Sequence, residues 1–160
     1  MRVTRFLYTS LALIAVFVPV TARDASRGGV DVAFDRFIDA FNNLDWDRFH
    51  SAFADDVTVF NPEIPEASSV DRLDGRAQVE AGFAAVFAAT KRGASRPPYL
   101  HIVPKGTRIQ TYGDISVITF EFDREAASVG RRTIVFHHEL DAWKIVHIHA
   151  SNTTPKPAPG

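Results

Sequence analysis

The sequence contains no cysteine. That excludes disulfide staples, thiol nucleophiles and thiolate metal sites, so the fold must be stable through packing alone. Methionine occurs once, against 13 phenylalanines, which points to a core built on aromatic rings. An excess of charge is missing too. The net charge is -1, from 18 basic and 19 acidic side chains, so there is no electrostatic case for a nucleic-acid partner. No internal repeat is present. No glycine-rich phosphate loop is present either, because "DGRAQVE" (Asp74 to Glu80) has a single glycine and reads as a helix start. What remains is ordinary globular composition, 46% apolar and 23% charged, in 160 residues, the length of one domain.

The N-terminus has its own texture. Arg2 and Arg5 form a basic start, Phe6 to Val18 is mostly apolar, and Val20-Thr21-Ala22 supplies small residues. This pattern predicts a secretory signal peptide over residues 1–22, cleaved near Ala22, with a periplasmic or secreted destination. The apolar run is short of the roughly 20 residues that a membrane span needs, so no membrane association is expected once the signal is removed. Residues 23–29 read as a linker, 30–152 as the domain, and 153–160, "TTPKPAPG", as a loose proline-rich tail.

Within the domain, Phe34, Phe37, Ile38, Phe41 and Leu44 fall on one helical stripe between Asp31 and Leu44. Asn42-Asn43 ends it, and Asp45 can cap a short second helix carrying Trp46, Phe49 and Phe53. "DVTVFNP" reads as a strand stopped by Pro62. Glu63 to Leu73 reads as a loop, and Asp74 can cap a third helix over Gly75 to Lys91, with Val79, Phe83, Val86 and Phe87 inward. After "RGASRPP" the strand candidates are 100–103, 107–112, 115–123, 131–140 and 143–151, with turns at Gly113-Asp114 and Asp141-Ala142. Helices followed by a run of strands predict an α+β fold.

The stretches "FNNLDWDRF", "FADDVTVFNPE", "DGRAQVEAGF" and "RTIVFHHELDAWKIVHIHASN", in this order, resemble the nuclear transport factor two-like superfamily. Within it they resemble the SnoaL-like group and the association domain of calcium/calmodulin-dependent kinase. The resemblance covers about residues 30–152. It implies a cone-shaped barrel, a strongly bent and mainly antiparallel sheet wrapped over three N-terminal helices. Functions in this superfamily range from isomerases and dehydratases to ligand binders and assembly domains, so the fold does not deliver the function. The resemblance also gives positions to test. A ketosteroid isomerase needs a carboxylate base where this chain has Asn61, a tyrosine where it has Phe37, and a protonated aspartate within Ile134 to Phe136. None of these can do that work, so steroid isomerisation is not expected.

Strand parity sorts the remaining polar residues. On the last strand Val146, Ile148 and Ala150 share one face; Trp143, Ile145, His147 and His149 share the other. The resemblance puts the first set toward the pocket and the second on an outer, dimer-forming face, joined by His137. A β-bulge in the hairpin would invert part of this assignment. The expected pocket wall is Phe37, Asn61, Glu121, Ile134, Phe136, His138, Val146, Ile148 and Ala150, with Tyr99 and Tyr112 able to offer hydroxyls at its mouth. Glu121, which parity places on one face with Val117 and Thr119, and His138 are the candidate proton carriers, because a carboxylate among phenylalanines can have a raised pKa. The competing reading pairs Glu121 with Arg108, Arg124 or Arg132. For His147 and His149 three readings stand: outer-face interface residues, pocket acid/base groups, or metal ligands with His137. His-x-His on a strand is a weak metal signal without a third partner, so neither metal nor cofactor is expected. The expectation is an exported homodimer with an apolar pocket for a small hydrophobic molecule. The alternatives are an acid/base lyase or isomerase using Glu121 or His138, and an assembly module with a vestigial pocket.

Overall fold

A computed structural model describes residues 21–61, 72–93, 96–124 and 128–153. Helix α1 runs from Thr21 to Asn43, so it begins ahead of Asp31 and takes in the stretch expected as a linker. The expected signal residues 1–20 and tail residues 154–160 lie outside the described residues. Val30, Phe34, Phe37 and Ile38 form the buried stripe of α1. The helix stops at Leu44, whose positive φ of 50° turns the chain while the Asp45 amide donates back to the Ala40 carbonyl at 2.9 Å. Asp45 caps α2 (Trp46–His50), its carboxylate accepting from the Arg48 amide at 3.2 Å.

Strand β1 (Phe53–Phe60) pairs with a two-residue strand, β2 (Leu73–Asp74), whose residues the sequence read as the end of a loop and a helix cap. Helix α3 follows over Arg76–Gly93. Asp74 does not cap it; its carboxylate holds Arg72 at 2.7 Å. The expected strand at 100–103 is not formed. That segment is irregular and is held by Asn42, which donates through Nδ2 to the Ile102 carbonyl (3.0 Å) and accepts from the Ile102 amide (2.9 Å). Strands β3 (Lys105–Tyr112), β4 (Ile115–Asp123), β5 (Val129–Glu139) and β6 (Ala142–Thr153) complete the sheet.

The strand order is β2-β1-β6-β5-β4-β3, with β1 and β6 parallel and all other neighbours antiparallel. The sheet is therefore mixed, and it does not close into the expected barrel: β2 and β3 are its two edges. Its register slips in two places that meet on β6. The β5–β6 ladder shifts between Val135 and Phe136, which pair with His147 and Ile145 and leave Val146 as an extra residue. The β1–β6 ladder shifts between Phe53 and Thr58, which pair with Ile145 and His147. A bulge bends the strand that carries it and raises its twist, so two shifts in line crease the sheet across Val146.

The core is aromatic, as the composition foretold. The Phe49 ring lies about 5 Å from those of Phe37, Phe41, Phe53, Phe83 and Phe87. Such ring pairs contribute about 0.5–1.5 kcal/mol each beyond the apolar area they bury. At the other end of α1, a side chain at Gly29 would place its Cβ 3.1 Å from Nε1 of Trp143. The glycine thus lets the helix seat against that ring.

Candidate functional site

The inner face of the sheet, α1 and α3 do not meet everywhere. Between them lies a cavity of about 700 Å³, within the roughly 300–1,000 Å³ typical of small-molecule sites. Helix α1 contributes Phe37, Ile38 and Phe41, and α3 contributes Phe83 and Val86. The sheet contributes Phe120, Phe122, Ile134 and Ile148. The Asn42-held segment supplies Tyr99, Leu100, His101 and Ile102. Ionisable side chains on the wall are His101, Asp123, Arg124 and Arg132, all exposed or half-buried, so they belong to the mouth. The rest of the wall is mostly hydrocarbon, with Asn61, Thr90 and Tyr99 as its uncharged polar members.

Four of the expected wall residues are on the cavity: Phe37, Asn61, Ile134 and Ile148. Three of these, Phe37, Asn61 and Ile134, are positions where the resemblance called for isomerase groups. They present a ring, an amide and an alkyl chain, none able to take up a proton at neutral pH. Phe136 and Ala150 face inward but are buried in the core, away from the cavity.

Glu121 corrects one expectation. It does share a face with Val117 and Thr119, but that face is the outer one. Its neighbours Phe120 and Phe122 are the inward residues, and Glu121 is exposed and paired with Arg131 at 2.9 Å. One of the competing readings, an ion pair with an arginine, holds in form with a different arginine. His138 is inward but elsewhere. Its ring is 5.0 Å from that of Trp143, in a separate depression of about 430 Å³ lined also by Arg36, Arg48 and Asp141. The two candidate proton carriers therefore do not reach the main cavity or each other.

The last strand is corrected by its bulge. Below Val146 the inward residues are Trp143 and Ile145, 8% and 0% exposed; above it they are Ile148 and Ala150. Trp143 and Ile145 thus belong to the core and not to an outer interface, and Val146 is the half-buried bulge residue, absent from the cavity wall. His147 and His149 remain on the outer face. Nδ1 of His147 is 2.7 Å from Thr58 Oγ1, and both rings lie about 6 Å from Phe60. Burial, then the neighbouring His149 and Arg72, hold the His147 pKa below its ordinary value. His137 sits between Glu139 (3.3 Å) and Asp114 (3.4 Å) at the far end of the hairpin. Among the described residues no group of three or more potential ligands could hold a metal ion, and no helix is long and apolar enough to cross a membrane. Tyr112 is exposed at the β3–β4 turn and away from the mouth.

The sequence reading named Arg132 only as a partner for Glu121 and missed its place on the cavity wall. It stands two residues before Ile134 on β5, so the parity that placed Ile134 inward extends to it. Its guanidinium carbon lies 4.8 Å from the centre of the Phe122 ring. Its Nη1 donates to the carbonyls of Arg131 (2.9 Å) and Ser151 (3.1 Å).

The family model of the SnoaL-like domain matches residues 30–155. Comparison with curated proteins finds no match. Among solved structures, a candidate dehydratase of the NTF2-like family from Streptomyces avermitilis superposes with a TM-score of 0.64 at 20% identity, over 81% of this chain and 97% of that one. A candidate calcium/calmodulin-dependent protein kinase type II association domain from Thiobacillus denitrificans gives 0.59 at 26% identity, over 79% and 96%. The association domain of C. elegans CaMKII gives 0.58 at 15% identity, over 81% and 98%.

Proposed function

The chain belongs to the SnoaL-like domain family, and from that premise we propose that it is an exported, homodimeric binder of a small, largely apolar molecule. The observation that carries this reading is the hollow itself: about 700 Å³ walled mainly by phenylalanine, isoleucine, leucine and valine, with Asn61, Thr90 and Tyr99 as uncharged polar members and the charged groups at the mouth. Water against the apolar part of this wall has few hydrogen-bond partners, so an apolar guest gains the area it buries there. A vestigial pocket in a pure assembly module would be filled by side chains, and this one is not. An acid/base reaction through Glu121 or His138 has lost its support, because one is ion-paired outside and the other lies against Trp143. Export rests on the basic start, apolar run and small residues of 1–22. An intact mass that begins at Arg23 is the expected result for the exported protein, and a chain still beginning at Met1 would refute it. Dimerisation rests on the outer sheet face around His147 and His149, and it fits the likeness to association domains.

The neutral fluorescent probe N-phenyl-1-naphthylamine tests the cavity. It should bind the wild type saturably with a rise and blue shift of emission. Val86→Trp and Ile102→Trp, each at a half-buried wall position, should weaken it at least about tenfold, as a blocked hydrophobic site requires, with the circular dichroism unchanged. Equal binding by wild type and both variants would place the probe outside the cavity and end the proposal.

A further inference from the structure

We infer that the depression beside the β5–β6 turn is a second binding site, for a small zwitterion of the amino-acid class. Its carboxylate goes to the Trp143 indole N–H and Arg36, and its ammonium to Asp141. The site is independent of the main cavity and of the reading given to it.

Trp143 is 8% exposed, and its ring lines the depression. Among the described residues nothing accepts from its indole N–H, and Nε1 is not one of the sealed polar atoms that lack a partner, so it is open to the depression. A buried tryptophan ordinarily finds an acceptor for that proton. Helix α1 leaves the way to it clear. A Cβ at Gly29 would fall 3.1 Å from Nε1 and 3.3 Å from Cδ1, so the glycine keeps uncovered the ring edge that bears the N–H. The His138 ring stands 5.0 Å from the Trp143 ring, tilted by 59°. The His138 backbone amide donates to the Asp114 carbonyl at 2.7 Å, while neither ring nitrogen has a hydrogen-bond partner among the described residues. An indole donor and an imidazole, able to donate or accept, thus stand unengaged on one wall.

Two charges complete that wall. Arg36 lies two turns along α1 from Gly29, and Asp141 lies in the β5–β6 turn. Both are exposed, and among the described residues neither makes an ion pair, with the other or with a third residue. The other polar groups there are already taken. Nη1 of Arg48 donates to Asp39 at 2.8 Å and has Asp45 at 3.7 Å, and the Ser51 hydroxyl donates to the Arg48 carbonyl at 3.0 Å. The space is about 430 Å³, which suits a small molecule. Opposite charges that line one hollow without touching call for a guest that carries both. An anion alone would meet Asp141, and a cation alone would meet Arg36. An amino acid brings two acceptor oxygens for the guanidinium and the indole N–H. It also brings three ammonium protons for Asp141 and the imidazole. Val32, Ala33 and Ala142 offer apolar surface to a short side chain.

The chain has two tryptophans, so a nitrogen–proton correlation spectrum holds two indole signals. Trp46→Phe leaves that of Trp143 alone, and Trp46 lies against Phe49 and Phe87, away from the depression. Leucine, 4-methylpentanoate (leucine without its amine) and 3-methylbutylamine (leucine without its carboxylate) form a matched set. Leucine should move the Trp143 signal downfield and saturably at neutral pH. Each counterpart should bind at least about fivefold more weakly, the effect of one partly exposed ion pair. Arg36→Gln should weaken leucine and leave the amine unchanged. Asp141→Asn should weaken leucine and leave the carboxylate no weaker. Gly29→Ala, a change that favours a helix, should weaken leucine and the carboxylate by crowding the N–H. Val86→Trp, which fills the main cavity, should change none of these. A Trp143 signal unmoved by leucine would overturn the inference, and so would either counterpart binding as tightly as leucine. Loss of leucine binding in Val86→Trp would place the guest in the main cavity and overturn it too. Should Gly29→Ala not fold, the wild-type ranking and the two charge variants decide. Failure of N-phenyl-1-naphthylamine to enter the main cavity would end that reading and leave this one standing.

Discussion

His147 carries a titration with a defined sign. Its pKa is lowered in the folded protein by burial first, and then by His149 and Arg72. The folded state therefore holds fewer protons on this ring than the unfolded state does between the folded pKa and about 6.5. The stability this contributes is present above about pH 6.5 and is lost as the pH falls through the folded pKa. The urea midpoint should accordingly drop between pH 7.5 and pH 5.5, and His147→Asn should flatten that part of the profile; an unchanged slope in the variant would assign the dependence to other groups. Ile145, two residues away, tests the opposite placement. It is fully buried, so Ile145→Ala should destabilise the fold by about 2–5 kcal/mol in urea melts with the same molar mass by light scattering. A small change in stability with a loss of association would return it to an interface. At this scale the sequence was legible in groups and blind to sides. It placed Glu121 with Val117 and Thr119, and Ile134 with Phe136 and His138, because a strand alternates. Nothing in the alternation said which group met the helices. The phenylalanines flanking Glu121 carried that information, since two rings at positions 120 and 122 have more to gain from burial than one carboxylate.

Among the elements, β6 decides most. Residues 143–151 read as one alternating strand, and the structure makes β6, twelve residues long, two half-strands that meet at Val146. Deleting Val146 would join them into one regular ladder. Trp143, Ile145, Ile148 and Ala150 would then fall on one parity and stay inward with the same β5 partners, because the bulge is the one extra residue that offsets the two pairs. The expected outcome is a variant that keeps a cooperative thermal transition by circular dichroism while its affinity for N-phenyl-1-naphthylamine changes, because the crease beside the cavity is gone. A deletion variant that loses the transition would mean that the extra residue is needed to hold the core together. The helices were legible because their periodicity is long: Phe34, Phe37, Phe41, Val79, Phe83 and Phe87 fix both faces. The segment from Tyr99 to Ile102 was not. Its alternating apolar residues imitate a strand, and what holds it instead is a pair of hydrogen bonds from Asn42, a residue some sixty positions away. A local reading has no access to a partner at that distance.

At the scale of the whole molecule, the outer face should join two copies. His147, His149 and Phe60 gather on it beside half-buried Val117 and Val135. In a two-fold dimer each of these residues recurs on the partner. Replacing His147 and His149 together with Asp should therefore set like charges against one another and shift the light-scattering mass toward the monomer, with probe binding in the cavity retained. A wild type that is monomeric at all concentrations would refute the association. A double variant that dimerises as tightly as the wild type would place the contact on another surface. The crease across Val146 has a further consequence, and it concerns descent. The bend of the sheet sets how far its inner face stands from α1 and α3, and the bend is localised to one residue. A single-codon insertion or deletion there would resize the chamber while leaving every lining side chain as it was. Lineages sharing this architecture have in that position a means of changing the size of guest they admit separately from its chemistry, and variation in chain length at the crease is where that divergence would be written.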